Sequence, residues 1–215
     1  MTRLDPQPID AHPELAEQFA TFERILGFVP NSLLAMQRRP EIVRAFETLT
    51  NAVMDPSGSV DPGLKRLAAH VASLAAGCQY CQAHSLVAAG LNGVGDEKIA
   101  AIWEFRTSAL YDEAERAALE FAAAAGSVPN AATDEHFDQL REHWTDDQIV
   151  EILAAICLYA FLNRWNDTVG TALEESRRRL GERVLARGGW TGGKHVRDDA
   201  ADAGPIVGGA RIPLG

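Results

Sequence analysis

Two cysteines and a histidine stand close together in the run Gly77-Cys78-Gln79-Tyr80-Cys81-Gln82-Ala83-His84. A helix is expected to stop at Gly77 and another to begin at once, which puts Cys78 at the new N-terminus and Cys81 in its first turn. Residues three apart on a regular helix hold their Cβ atoms about 5–6 Å apart, whereas a disulfide wants about 3.5–4.5 Å. The bond therefore forms most easily where the first cysteine still lies partly outside the helix, as here. The same place tunes reactivity. A free thiol ionises near pH 8.5, and the unpaired N–H groups and dipole of a helix start favour the thiolate. His84 shares the face of Cys81; neutral it can take the thiol proton, and charged it can hold the thiolate.

Other readings of the same residues compete. Cys78, Cys81 and His84 offer three zinc ligands, but a structural zinc takes four. The remaining cysteine, Cys157, lies in an apolar helical stretch where a small buried hydrophobe is the usual meaning. A c-type haem needs histidine directly after the second cysteine, and Gln82 occupies that place. Two inert core cysteines are the third alternative; Gln79 and Gln82 beside them argue for a partly polar setting instead.

The rest of the sequence must supply elements that hold this run. Alanine is abundant and apolar residues recur at helical spacing, as in Leu64, Leu67, Ala68, Val71, Leu74 and Ala75, or Ile149, Ile152, Leu153, Ile156 and Ala160. Leu15, Phe19, Phe22 and Leu26 do the same, and no stretch alternates as a strand would. Start signals agree: Asp61 before Pro62, capping boxes at Asp112/Glu115 and Thr145/Gln148, and further starts at Pro40 and Thr133. Gly77, Gly90, Gly126 and Gly181 are expected to mark helix ends. The pattern predicts an all-α bundle of about eight helices, a single domain over residues 1–187 with the cysteine-bearing core at about 60–111. From 188 to 215 glycine and proline break any helix. This tail is expected to be disordered or to lie as an arm on a neighbouring subunit through Trp190, Ile206, Val207 and Ile212.

Composition narrows the partners. The 215 residues carry 20 basic and 30 acidic side chains, a net charge of -10. Nucleic acids and anionic membranes call for clustered Lys and Arg, so neither is expected. Residues 1–10 lack the basic and apolar halves of a secretory signal. The longest apolar stretch, Ile152–Leu162, is short of the roughly 20 residues that span a bilayer. The chain is expected to be cytoplasmic, where three cysteines with one close pair point to redox or metal chemistry rather than a disulfide scaffold. No phosphate loop, dinucleotide fingerprint or serine nucleophile elbow is present, and no cofactor is expected.

With these residues placed, Leu64–Ala89, with its Cys-x-Tyr-Cys and nearby histidine, resembles the carboxymuconolactone decarboxylase superfamily, within it the alkylhydroperoxidase D-like, peroxidase-related proteins. Asn163-Arg164-Trp165-Asn166-Asp167-Thr168 resembles a second stretch of those proteins. The resemblance implies an alkylhydroperoxidase D-like helical bundle, a homo-oligomer, and a thiol-dependent peroxidase or disulfide oxidoreductase. By that analogy Cys81 attacks the peroxide, Cys78 resolves the sulfenic acid to a disulfide, His84 is the base, and an external dithiol reopens the bond.

Two positions depart from the family. Its relay glutamate, twelve residues before the first cysteine, falls on Arg66, with no carboxylate replacing it nearby. The histidine stands three residues after the second cysteine rather than four, where Ser85 is found. Substitutes for the relay or pocket are therefore His70, Tyr80, Asn163 and Asp167. Asn163 and Asp167 share a helix face, and either line the thiol pocket or pair with Arg164 in the fold. The competing function is a non-catalytic helical oligomer acting as redox sensor or zinc-binding module. Lactone or decarboxylase chemistry is weaker, because it needs no cysteine pair.

Overall fold

The computed structural model describes residues 2–196. Among them the chain is all-α, with ten α-helices, four short 3-10 turns and no strand. The helices are α1 (Ala16–Leu26), α2 (Asn31–Met36), α3 (Pro40–Val53), α4 (Pro62–Ala75), α5 (Gln79–Leu91), α6 (Asp96–Ala100), α7 (Glu113–Gly126), α8 (Asp134–Arg141), α9 (Asp146–Val169) and α10 (Glu175–Val184).

The expected starts are used. Asp61 accepts from the Leu64 N–H with Pro62 in the first turn. Full capping boxes form at Asp112/Glu115 and Thr145/Gln148. Two glycine stops are not used as expected. α5 runs through Gly90 to Leu91, and the left-handed residue is Gly93 (φ 88°). Gly181 lies inside α10, where the Trp190 ring occupies the space a Cβ would need. Helical propensity of a single glycine costs only about 1 kcal/mol, which packing of an indole outweighs.

α4 is the centre of the fold. Ten consecutive-turn residues from Gly63 to Ser73 are buried on it, and it packs against α5, α7 and α9. The end of α7 crosses it so closely that a Cβ on Gly126 would lie 2.6 Å from Ala72 Cα. The main core joins Leu64, Leu67, Val71, Phe121, Ile152 and Ile156. A second core unites α1–α3 through Leu15, Phe19, Phe22, Leu33, Val43 and Phe46 with Leu158 of α9. α9 is by length and composition apolar enough to cross a membrane, beyond what the shorter apolar stretch in its sequence suggests. Here its apolar residues are shared between the two cores: Ile149, Ile152 and Ile156 in one, Leu158 in the other.

The first part of the glycine-rich tail folds back on its own chain. The Trp190 indole N–H donates to Gln79 O at 3.1 Å, and the His195 backbone carbonyl accepts from Leu173 N–H at 2.8 Å. Ile206, Val207 and Ile212 lie outside the described residues.

Candidate active site

Gly77, at φ 74°, turns the chain out of α4 in the left-handed region that glycine adopts without strain. Cys78 follows with φ -85° and ψ 97°, extended, as the N-cap of α5. Its Sγ accepts from the Cys81 N–H at 3.4 Å. The first cysteine thus stays outside the regular helix, as the disulfide geometry requires, and both thiols are free.

The two sulfurs differ in what they face. Both residues are buried, at 0% and 1% exposure, in a small cluster with Ala69, Tyr80 and Tyr159. The glutamines do not supply the partly polar setting expected from them; Asn166 and His84 do. Gln82 turns inward and donates to Ser73 O at 3.4 Å. Cys81 nevertheless borders a cavity of about 110 Å³, walled by Phe22, Leu26, Leu33 and Phe46 from the α1–α3 layer and by Leu158, Tyr159 and Leu162 of α9. Cys78 is not among the lining residues. Access therefore singles out Cys81 as the sulfur a substrate can reach, with Cys78 behind it.

Burial also sets the protonation of Cys81. Desolvation pushes the thiol well above its ordinary value, and hydrogen bonding and repulsion from Cys78 push the same way; the Asn166 amide, donating to Sγ at 3.5 Å, opposes them. The helix start was expected to favour the thiolate, but loss of water outweighs it. At rest Cys81 is a thiol that needs a base.

The base expected from the sequence, His84, stands one turn on. His84 lines the same cavity, and its Nε2 lies 2.7 Å from Glu174 Oε2. Glu174 is the N-cap residue of α10. Its carboxylate also accepts from the Tyr80 hydroxyl at 2.9 Å and from the Asn31 N–H at 2.7 Å. Asn31 in turn donates through Nδ2 to Ala172 O at 2.9 Å, tying the segment after α9 to the start of α2. Burial alone would raise the Glu174 carboxyl, but the His84 charge and hydrogen bond, with the Asn31 amide, bring it below its ordinary value. Tyr80 is driven the other way, first by burial and then by the charge on Glu174, so it remains a phenol and a donor. Its ring stacks on His84 with centroids 4.3 Å apart. The imidazole is thus fixed by a carboxylate on Nε2 and a ring on its face, and Nδ1 is the nitrogen left to exchange a proton.

Of the residues expected in the relay or pocket, Tyr80 lies against Glu174 and His84. His70 does not join them: it is buried, with Nδ1 3.1 Å from Gln82 O and 3.2 Å from Ser85 Oγ, and its pKa falls to about 4 because burial disfavours the charged form. Asp167 faces Lys194 Nζ at 2.7 Å and His195 Nε2 at 4.0 Å, at the turn of the tail. Asn163 is buried with its side-chain oxygen unpartnered, and it does not line the cavity; neither Asn163 nor Asp167 pairs with Arg164. The α9 residue that touches the thiol is Asn166. Ser85, at the family's histidine position, closes back on Cys81 O at 2.7 Å. Cys157 is exposed rather than a core residue.

Sequence reasoning missed Glu174 and Asn166. Asn166 was within reach, because Tyr159, Leu162 and Asn166 form a helical stripe of spacing three and four. Glu174 carries no local signal, since it arrives from 90 residues downstream of His84.

Comparison with known proteins agrees with this architecture. The carboxymuconolactone decarboxylase family pattern matches residues 40–124. The crystal structure of the debrominase Bmp8 is 36% identical, covers 86% of this chain and 98% of its own, and superposes with a TM-score of 0.80. A cysteine-to-alanine variant of Bmp8 in complex with 2,3,4-tribromopyrrole is 35% identical over the same shares, also at 0.80. An uncharacterised peroxidase-related protein from Silicibacter sp. TM1040 shares the fold at 23% identity, covering 82% of this chain and 93% of its own, with a TM-score of 0.71. No curated protein sequence matches. The chain belongs to the carboxymuconolactone decarboxylase superfamily of enzymes and has the alkylhydroperoxidase D-like helical fold.

Proposed function

We propose that this protein is a dithiol-dependent reductase of a small organic substrate with a largely apolar body, with an organic hydroperoxide as its first candidate. The observation that carries the reading is that Cys81 opens on an apolar cavity while Cys78 sits behind it, outside the regular helix. His84, held by Glu174, takes the Cys81 proton through Nδ1, directly or through one water. The thiolate attacks the outer peroxide oxygen, the O–O bond breaks, and the alcohol leaves with a proton. Cys81 is then a sulfenic acid. Cys78 attacks its sulfur, water leaves, and a Cys78–Cys81 disulfide remains. An external dithiol returns both thiols to the reduced state, in a reducing compartment such as the cytoplasm.

A second reading is reductive dehalogenation. It is favoured by the likeness to a debrominase over nearly all of that protein's length, and by a cavity walled with rings and leucines. The electron balance is the same. The Cys81 thiolate takes the halogen, the ring carbon takes a proton, and Cys78 displaces halide to close the disulfide. A zinc site has less support. His84 is engaged by Glu174, and among the described residues no three His, Cys, Asp or Glu side chains converge as a metal would need.

The test is intact-mass analysis of the reduced protein after one equivalent of cumene hydroperoxide or, separately, a polybrominated pyrrole with bromide release followed. Loss of two hydrogens at Cys78 and Cys81, with no added oxygen, is expected from the productive substrate. Thiols that survive both treatments overturn the reductase.

A further inference from the structure

The cavity holds one cation that the reductase chemistry does not use. Arg66, on α4, lines the cavity beside Cys81 and His84. Among the described residues its one hydrogen bond runs from Nη1 to the Tyr159 hydroxyl at 3.3 Å. No carboxylate pairs with it among the described residues. This contrasts with Lys65 one residue earlier, bound to Glu151 at 3.2 Å, and with Arg178, bridged to Glu175 and Glu182. In a chain with a net charge of -10, acidic partners are plentiful, so a half-buried guanidinium that none of them meets, at the edge of a largely apolar cavity, is left free to receive an anion from outside. A second donor in the same cavity is also unmet: Thr50 Oγ1 is buried with no partner.

We infer that the substrate is a small aromatic acid, whose anionic group Arg66 receives while its apolar body fills the cavity against Cys81. The inference rests on the reading of Cys81 as a nucleophile opening on that cavity, and it adds the substrate's charge. A guanidinium with free N–H donors matches a carboxylate oxygen pair. The Thr50 hydroxyl offers a further donor. At about 110 Å³, below the roughly 150 Å³ that takes a benzene, the cavity has room for no more than one ring. Arg66 is thus a specificity-determining residue at a position where the family's relay carries an acid. Charge inversion there is tolerable because Glu174 holds His84 from another element.

Binding can be read without turnover. In a Cys157→Ser background, the rate of Cys81 alkylation by iodoacetamide is followed with benzoate or with benzyl alcohol present. Benzoate is expected to protect saturably, at a concentration at least about tenfold lower than benzyl alcohol, as a charge-assisted hydrogen bond implies. Arg66→Gln should erase that preference while leaving benzyl alcohol protection in place; Arg66→Lys should keep part of it. Benzoate protecting no better than benzyl alcohol in the parent protein overturns the inference, and so does a preference that survives Arg66→Gln. If Arg66→Gln does not fold, the parent comparison and Arg66→Lys decide. The same samples then receive one equivalent of hydroperoxide. A disulfide that closes without a benzoate preference sinks the anion alone. A benzoate preference with thiols that never close keeps the Arg66 site and sinks the reductase.

Discussion

Glu174 and His84 meet at 2.7 Å although 90 residues separate them in sequence. The carboxylate reaches the imidazole from a helix cap in the C-terminal third of the chain, braced by Tyr80 and Asn31. The position where the family places its acid holds Arg66. The His84 imidazole therefore has an acid partner supplied from elsewhere in the chain, as the proposed relay requires.

Glu174→Gln tests that relay. The amide keeps the shape and can still accept from the Asn31 N–H, but it removes the charge that steadies a protonated His84. Turnover of the productive substrate should fall by about a hundredfold, the scale of a lost acid–base contribution, with the far-UV spectrum unchanged. Because the Glu174 carboxyl lies below its ordinary value, the parent enzyme should keep this contribution through ordinary carboxylate pH and lose it only in more acid solution. A steady-state pH profile of parent and variant checks both points.

The three thiols should react in a set order. Cys157 is exposed, while Cys78 and Cys81 are buried. Iodoacetamide at pH 7 should label Cys157 first. Cys81, with its pKa raised by burial, should label slowly and accelerate as pH rises beyond 9. Peptide mapping of a timed alkylation series reads the order. Rapid labelling of Cys81 at pH 7 would contradict the assigned burial effect.

His70 predicts an acid-labile fold. Its pKa drops from 6.5 to about 4 on burial, so the folded state binds fewer protons than the unfolded one between those values. Its stabilising contribution is full above pH 6.5 and fades as pH falls toward 4, a loss of about 3 kcal/mol in total. Urea unfolding of the parent and of His70→Gln at pH 7 and pH 4.5 should show a shallower pH dependence in the variant.

The Lys65–Glu151 pair predicts a large structural effect far from the thiols. Lys65 is 1% exposed, with its ammonium also on Val53 O and Asp55 O. Glu151→Ala strands that charge and removes acceptors for the Ser59 and Val60 amides. A loss of about 3 kcal/mol is expected, measured as a lower urea midpoint.

Helix starts and the thiol motif were legible in the sequence because their causes are local. Asp61 before Pro62 and Thr145 before Gln148 act within one turn, and Cys78 reaches Cys81 across three residues. The electrostatics were less so. A helix start argues for a reactive thiolate, but the burial that reverses this depends on α1–α3 and α9 closing over Cys81. The partner choices failed for the same reason. Asp167 and Asn166 are adjacent, and only the rotation of α9 against α5 decides which one faces the sulfur. His70 looked able to serve the site by proximity in sequence, yet it points to the other side of α5, toward Trp103.

The stretch that carries the sulfurs and the imidazole lies wholly within the matched family region, 40–124. Glu174 and Asn166 lie after it, and the Phe22, Leu26 and Leu33 walls before it. On the ribosome, then, a chain that has not yet emerged past α9 has its redox pair but neither a steadied base nor a finished chamber.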